Sequence, residues 1–296
     1  MSDRLALGIE IGGTKLQAGI GSGEPALRAL VRRTVDPSRG GEGIREEIPA
    51  LVEEAISKAG VHPAELSGIG VGFGGPVDSE VGRVLVSHQV EGWSNFPLRD
   101  WLVDRFRVPV VLQNDCKAAA LAEYVLGAGK GCRRIFYVTA GSGIGGGLVV
   151  DGKVDTGQGL GAGEIGHTWV PDPRTGKPEK LELVASGWSI ERRAGRPAPE
   201  VYRAAERGDR EALRVLDETA EALAVGIGNA ISLLHPERVI LGGGVSMMGP
   251  LFWNPLREKV AKRAFGPFAG RWELVPSALG EEVVVAGAVL LGFGPR

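Results

Sequence analysis

The sequence is short of cysteine. Cys116 and Cys132 are the only two among 296 residues, and they do not form a C-x-x-C pair. A disulfide framework is therefore not expected, and a zinc site built mainly from thiolates is excluded. An excess of one charge is missing too. Lys and Arg number 34 against 36 Asp and Glu, a net charge of −2. That balance gives no reason to expect nucleic acid or an anionic membrane as a partner. No apolar run approaches the length of a membrane span, and no basic–apolar–small pattern opens the chain, so the cytoplasm is the expected location. Methionine is scarce as well, with 3 residues, while Glu and Arg are abundant. A thermophilic origin or the base composition of the genome would each produce that bias.

What the chain has in quantity is glycine, 47 residues. They cluster in turns between apolar strands, which suggests backbone approaching a ligand. With 43% hydrophobic and 24% charged residues, the chain is an ordinary globular one, long enough for two cores. Residues 5–10, 15–20 and 28–35 read as strands, and 41–60 as a helix with Pro49 in its first turn or kinking it. "GIGVGFGGP" and "VPVVLQN" read as buried strands, "FPLRDWLVDRF" as a short helix, and a further helix runs from Asp115 to Leu126. The segment 134–154 then repeats the opening pattern of apolar strand, glycine turn and alternating strand. Ile144-Gly145-Gly146 lies 133 positions after Ile11-Gly12-Gly13. In 209–234, Leu213, Leu216, Ala220, Leu223, Ile227, Ile231 and Leu234 form one stripe of a long helix. "ERVILGGGVS" reads as strand, turn and helix start, and "EEVVVAGAVLLGF" as a closing helix. The expected architecture is two related α/β domains with a cleft between them. Residues 1–114 would form the smaller domain, with the helix over about 281–296 packing back on it. Residues 115–280 would form the larger one.

"GSGIGG" at 141–146 satisfies a G-x-G-x-x-G dinucleotide fingerprint, but a strand follows where the fingerprint needs a helix. "GIEIGGTK" at 8–15 fails as a P-loop, because Lys and Thr are transposed and a strand again follows. Two readings of these turns remain: tight hairpins that need positive φ, or nests of N–H groups that bind phosphate. Two copies, one beside the carboxylate of Glu10, favour phosphate. Glu10 would then hold Mg²⁺, directly or through water.

These motifs, together with "NDCKAAALAEYVLGAGKG", "GAGEIGH", "LELVASG" and "VILGGGVS", resemble the ROK family of sugar kinases, in its order and spacing. That family belongs to the actin-like ATPase superfamily, with a ribonuclease H-like fold, and the resemblance runs over about residues 5–292. It implies two α/β domains, ATP and Mg²⁺ bound in the cleft, and phosphorylation of a hexose hydroxyl. The hexose would be glucose or a close relative phosphorylated at the 6-position, with fructose and N-acetylmannosamine as alternatives. It also implies a homodimer acting on a small sugar. Asp115 matches the family's general base, although by its position alone it would be a helix N-cap. Gly75, Asn114, Asp115, Glu164, His167 and Glu182 match sugar contacts. Gly12, Gly13, Thr14, Lys15, Ser142, Gly143, Gly242, Gly243 and Gly244 match nucleotide contacts. Ser87, His88 and Gln89 lie where the family lines the sugar rim.

The pattern breaks at one place. Most members carry a C-x-C-G-x-x-G-C zinc loop whose metal also coordinates the matching histidine. This chain has "TWVPDPRTGKPEK" there, with no cysteine. His167 must be oriented otherwise, by a hydrogen bond or by packing near Trp169. Glu10 replaces a more usual Asp, and Gly74 a common Pro. Two other classes stay open: a sugar-responsive repressor, which needs a DNA-binding helix-turn-helix ahead of the first hairpin, and a catalytically inactive sugar-binding protein.

Overall fold

The structure, a computed structural model, describes residues 4–87 and 90–294. The chain divides into two compact units. The first takes the chain up to Lys130, the segment Gly152–Ala162, and the segment from Glu281 onward. The second takes Gly131–Asp151 and Gly163–Gly280. The expected boundary at 114 is corrected: the helix that begins at Asp115 belongs to the first unit, because it packs against the closing helix. The expectation also missed the return of 152–162 to the first unit.

In chain order the first unit opens with strands β1 (Leu5–Ile11), β2 (Lys15–Gly21) and β3 (Ala29–Thr34), then helix α1 (Gly40–Ala59). Next come β4 (Leu66–Phe73), the short pair β5 (Val77–Asp78) and β6 (Arg83–Val84), helix α2 (Leu98–Phe106), β7 (Val110–Asn114) and α3 (Asp115–Val125). The sheet order is β3-β2-β1-β4-β7. β1, β2 and β3 pair antiparallel, while β1–β4 and β4–β7 pair parallel. β1 is buried at every position, as a central strand covered on both faces must be. Pro49 lies well inside α1 rather than in its first turn.

The second unit begins with β8 (Arg134–Ala140) and β9 (Ile144–Val150), after which β10 (Lys153–Val154) falls in the returning segment of the first unit. The second unit resumes with the two-stranded ribbon β11 (Trp169–Pro171) and β12 (Pro178–Lys180) and helices α4 (Leu181–Ala185), α5 (Gly187–Ala194), α6 (Ala198–Glu206) and α7 (Arg210–Leu234). β13 (Arg238–Gly242), α8 (Pro250–Arg263) and β14 (Glu273–Pro276) complete it. Within this unit the strands run β9-β8-β13-β14, antiparallel for the first pair and parallel for the others. The ribonuclease H-like order thus occurs twice. On α7, Leu216, Ala220, Leu223, Ile227 and Ile231 are buried along the expected stripe, while Leu213 at its start is exposed and Leu234 at its end half-buried.

Helix α9 (Val283–Gly292) returns to the first unit and is buried around nearly its whole circumference, consistent with a helix hydrophobic on all sides. It lies almost backbone to backbone on the sheet. A Cβ at Gly8 would come within 2.6 Å of the Val285 carbonyl, and one at Gly70 would overlap the Ala288 carbonyl. A Cβ at Gly287 would overlap the carbonyl of Ala118 on α3. The glycines of β1 and β4 therefore serve helix packing, not the approach of a ligand. No helix among the described residues is long and apolar enough to cross a membrane.

Candidate active site

In the first unit the parallel strand β7 ends at Asn114, and α3 begins at once. Asn114 is the N-cap: its Oδ1 accepts from the N–H groups of Cys116 at 3.0 Å and Lys117 at 3.4 Å. The capping role expected for Asp115 thus falls to its neighbour. Asp115 is the first helical residue. Its Oδ1 accepts from Asn114 Nδ2 at 2.9 Å and from the Cys116 N–H at 2.8 Å. Asn114 Nδ2 also donates to the Gly75 carbonyl at 3.1 Å. The structure therefore brings Gly75, Asn114 and Asp115 together.

Glu10, on β1, is buried, with 6% of its surface exposed. Its Oε1 pairs with Lys15 Nζ at 3.2 Å and its Oε2 accepts from Gln17 Nε2 at 2.7 Å. Burial is the main cause that pushes the Glu10 carboxyl up to about 7, against the pull of Lys15, and the charge of Asp115 raises it further. Gln17 in turn accepts from Arg32 at 2.7 Å, and Arg32 pairs with Glu282 at 2.9 Å. Lys15 also donates to the Glu281 carbonyl at 3.3 Å. The sequence pointed to Glu10 and Lys15, but Gln17 and Arg32 were missed, because cross-strand partners carry no motif.

Neither glycine turn uses positive φ at Gly12, Gly13, Gly141 or Gly143, so the tight-hairpin reading loses its reason for glycine there. Gly12 N–H donates to the Lys15 carbonyl at 3.0 Å, and Gly141 N–H to the Gly143 carbonyl at 2.9 Å. The N–H groups of Gly13 and Thr14, and of Ser142 and Gly143, make no hydrogen bond among the described residues. Successive N–H groups of this kind suit an anion.

In the second unit, Glu182 in the first turn of α4 accepts from the Ile144 N–H at 2.8 Å, and a Cβ on Gly143 would collide with its carboxylate. Glu164 precedes a 3-10 turn over Ile165–His167, and both Glu164 and His167 are exposed. Gly166 lies so close to Ile144 that a Cβ would overlap the Ile144 carbonyl. The start of β9 thus anchors both the Glu164–His167 turn and Glu182. A polar contact is available to orient His167: Lys180 Nζ lies 3.5 Å from His167 Nδ1. Residues 168–180 hold no thiol or imidazole, so the donor set does not fit the zinc of the family loop. His88 and Gln89 lie outside the described residues.

Gly141, Ser142 and Gly244 line a cavity of about 510 Å³ within the second unit, together with Trp188, Tyr202 and Met247. Gly187 N–H donates to the Gly141 carbonyl at 2.7 Å, which ties the start of α5 to the glycine turn. Gly243, at φ 82°, packs on the same turn, and a Cβ there would lie 2.5 Å from the Ala140 carbonyl. Gly242 packs instead against Tyr137. Trp188 and Met247, 57% and 81% exposed, were not anticipated. Their signal is large apolar side chains left in solvent beside a cavity.

The sequence profile of the ROK family matches residues 6–293. The chain belongs to the ROK family. It is similar to a glucokinase of Thermotoga maritima, 35% identical with 95% of each chain covered. Among solved structures it resembles a ROK hexokinase from Thermus thermophilus, 33% identical at a TM-score of 0.84 with 98% of both chains covered. It also resembles a ROK family glucokinase from Streptomyces griseus in complex with glucose and AMPPNP, 30% identical at a TM-score of 0.81, with 97% of this chain and 99% of that one covered.

Proposed function

We propose that this ROK sugar kinase transfers the γ-phosphoryl group of ATP to the 6-hydroxyl of glucose or a close relative, with Asp115 as general base. The observation that carries the reading is the Asn114–Asp115 junction. One carboxylate oxygen is fixed by two donors at 2.9 and 2.8 Å, so the carboxylate is held in one orientation at a helix N-terminus, where an anion is favoured. A base so held takes the proton of the attacking hydroxyl, and phosphoryl transfer otherwise asks mainly for positioning and charge neutralisation. Asn114 and Gly75 stand beside the sugar with Asp115. Glu164 and Glu182 accept from sugar hydroxyls while His167 donates to one. The unbonded N–H groups of Gly13, Thr14, Ser142 and Gly143 receive phosphate oxygens, and Gly244 borders the nucleotide in the cavity. The adenosine lies in the cavity beside Trp188 and Tyr202, a slot of the size and apolar character that such a ligand needs.

A single buried carboxylate beside a phosphate turn fits Mg²⁺, which takes few protein ligands alongside phosphate and water. Glu10 would hold it through water, and the ion would neutralise phosphate charge. Burial holds the Glu10 carboxyl up at about 7, so without a bound cation its anion predominates only above neutral pH.

The test is a coupled assay of ADP release over glucose, mannose, fructose and N-acetylmannosamine. The expected result is hexose-dependent turnover with glucose or mannose giving the largest kcat/KM. A higher value for fructose or N-acetylmannosamine would reassign the substrate. ADP release indifferent to every sugar would overturn the reading.

A further inference from the structure

The ribbon β11–β12 occupies the place of the missing zinc loop, and its geometry joins two groups that the proposed function assigns to the sugar. At its base Trp169 pairs with Lys180, and the Leu181 N–H donates to the Thr168 carbonyl at 2.9 Å. His167 thus leads directly into one strand of the ribbon, and the other strand leads directly into Glu182. At its tip a turn is closed by the Asp172 N–H on the Lys177 carbonyl at 2.8 Å. From that turn Arg174 Nε reaches Glu218 on α7 at 2.7 Å. Glu218 is 8% exposed and receives a second guanidinium, Arg193 Nη1 of α5, at 3.0 Å. Arg193 is completed by Thr219 Oγ1 at 2.7 Å. A nearly buried carboxylate held by Arg174 and Arg193, with Arg214 Nη1 3.8 Å from its other oxygen, is strongly directional, and removing Arg174 releases the ribbon tip while the carboxylate keeps its other partners.

We infer that Arg174 and Lys180 are positioning residues for sugar recognition, doing through an ion-pair staple and one ammonium contact what a metal does in relatives with the cysteine loop. This rests on the assignment of His167 and Glu182 to the sugar. Arg174 ties the ribbon tip to α7 and so fixes the spacing of the His167 and Glu182 arms at its base. Lys180 acts on the imidazole itself. An ammonium only donates, so its contact at 3.5 Å with Nδ1 keeps the lone pair on Nδ1. The proton is then on Nε2, as a donor for a sugar hydroxyl.

Two measurements test the pair. Long-range proton–nitrogen NMR on uniformly labelled protein reads the tautomer of His167, one of 4 histidines, without any turnover. The expected result is the Nε2–H form in the wild type and a mixture in Lys180→Met, with Lys180→Arg restoring the single form. An Nδ1–H form in the wild type, or no change in Lys180→Met, would overturn the role of Lys180. In steady-state kinetics, Arg174→Ala should raise the hexose KM roughly tenfold, the loss of about one hydrogen bond's worth of alignment. ATP KM should stay within about twofold, and Arg174→Lys should recover part of the loss. An unchanged hexose KM, or equal losses for sugar and nucleotide at an unaltered unfolding temperature, would overturn the role of Arg174. If Arg174→Ala fails to fold, Arg174→Lys and the half-buried Lys180 carry the decision. Should the wild type phosphorylate no hexose, the functional reading fails while the tautomer measurement still stands.

Discussion

Replacing Asp115 by Asn keeps the shape of the side chain but removes the proton acceptor. The expected outcome is a fall in kcat of roughly 10²–10⁴, with hexose KM changed only a few-fold. Steady-state kinetics with the preferred hexose decides it, and near-normal turnover would remove Asp115 from the role. Glu10 makes a separate prediction, in the metal-free protein. Its folded-state carboxyl is raised from 4.5 to about 7, so between those pH values the folded state holds a proton that the unfolded state does not. Stability therefore falls as pH rises through that window, and burial of the charged form costs the most above pH 7. The cost is on the order of 3 kcal/mol. Glu10→Gln should unfold at a higher temperature than the wild type at pH 8, and the two should converge near pH 4.5. Calorimetry at the two pH values checks this; a constant difference between them would contradict it. At this scale a motif singled out Asp115 and Glu10, whose hydrogen-bonded and buried settings the structure then describes. The sequence was silent on Gln17, Arg32, Trp188 and Glu218, whose partners lie far along the chain or on a neighbouring strand.

Among the elements, the contact of α9 with β1 and β4 gives the sharpest test. At Gly70 an added methyl meets the Ala288 backbone carbonyl, which cannot swing away as a side chain could. Gly70→Ala should destabilise by about 1–3 kcal/mol or more, read as a lower urea midpoint at an unchanged slope. A neutral effect would mean that α9 lies farther from the sheet than described. The glycine-turned hairpins and the long stripe of α7 were legible because both are periodic, with period 2 for the strands and 3.6 for the helix. The ribbon β11–β12 was not, since "WVP" and "PEK" are too short to alternate and each carries a proline. The packing role of the β4 glycines was equally out of reach of the sequence. A glycine that admits a helix backbone and one that admits a ligand look identical in sequence.

On the scale of the whole molecule, the first unit is assembled from three separate stretches of chain. A chain ending at Gly280 would lack α9 and leave the α9-facing surface of β1 and β4 uncovered. Amide exchange should then be fast in β1 and β4 while β8 and β13 keep their protection, because α7 and α8 still cover the second sheet. Equal protection in both sheets of the truncated chain would refute the dependence on α9. The repeat of the hairpin 133 residues on made the doubling of the fold legible. The return of 152–162 was hidden, since nothing in its composition marks a change of unit.

The late arrival of α9 bears on how the protein is made. β4 ends at Phe73 and α9 begins at Val283, so a ribosome moving at 5–20 residues per second adds the missing cover roughly 10–40 s after the sheet it protects. During that interval the nascent chain carries a glycine-lined, apolar sheet surface open to the cell. The second unit, whose principal helices are synthesised before or just after its last strands, faces no comparable delay. Order of emergence, rather than final stability, then sets where this chain is most exposed to aggregation and most dependent on a chaperone.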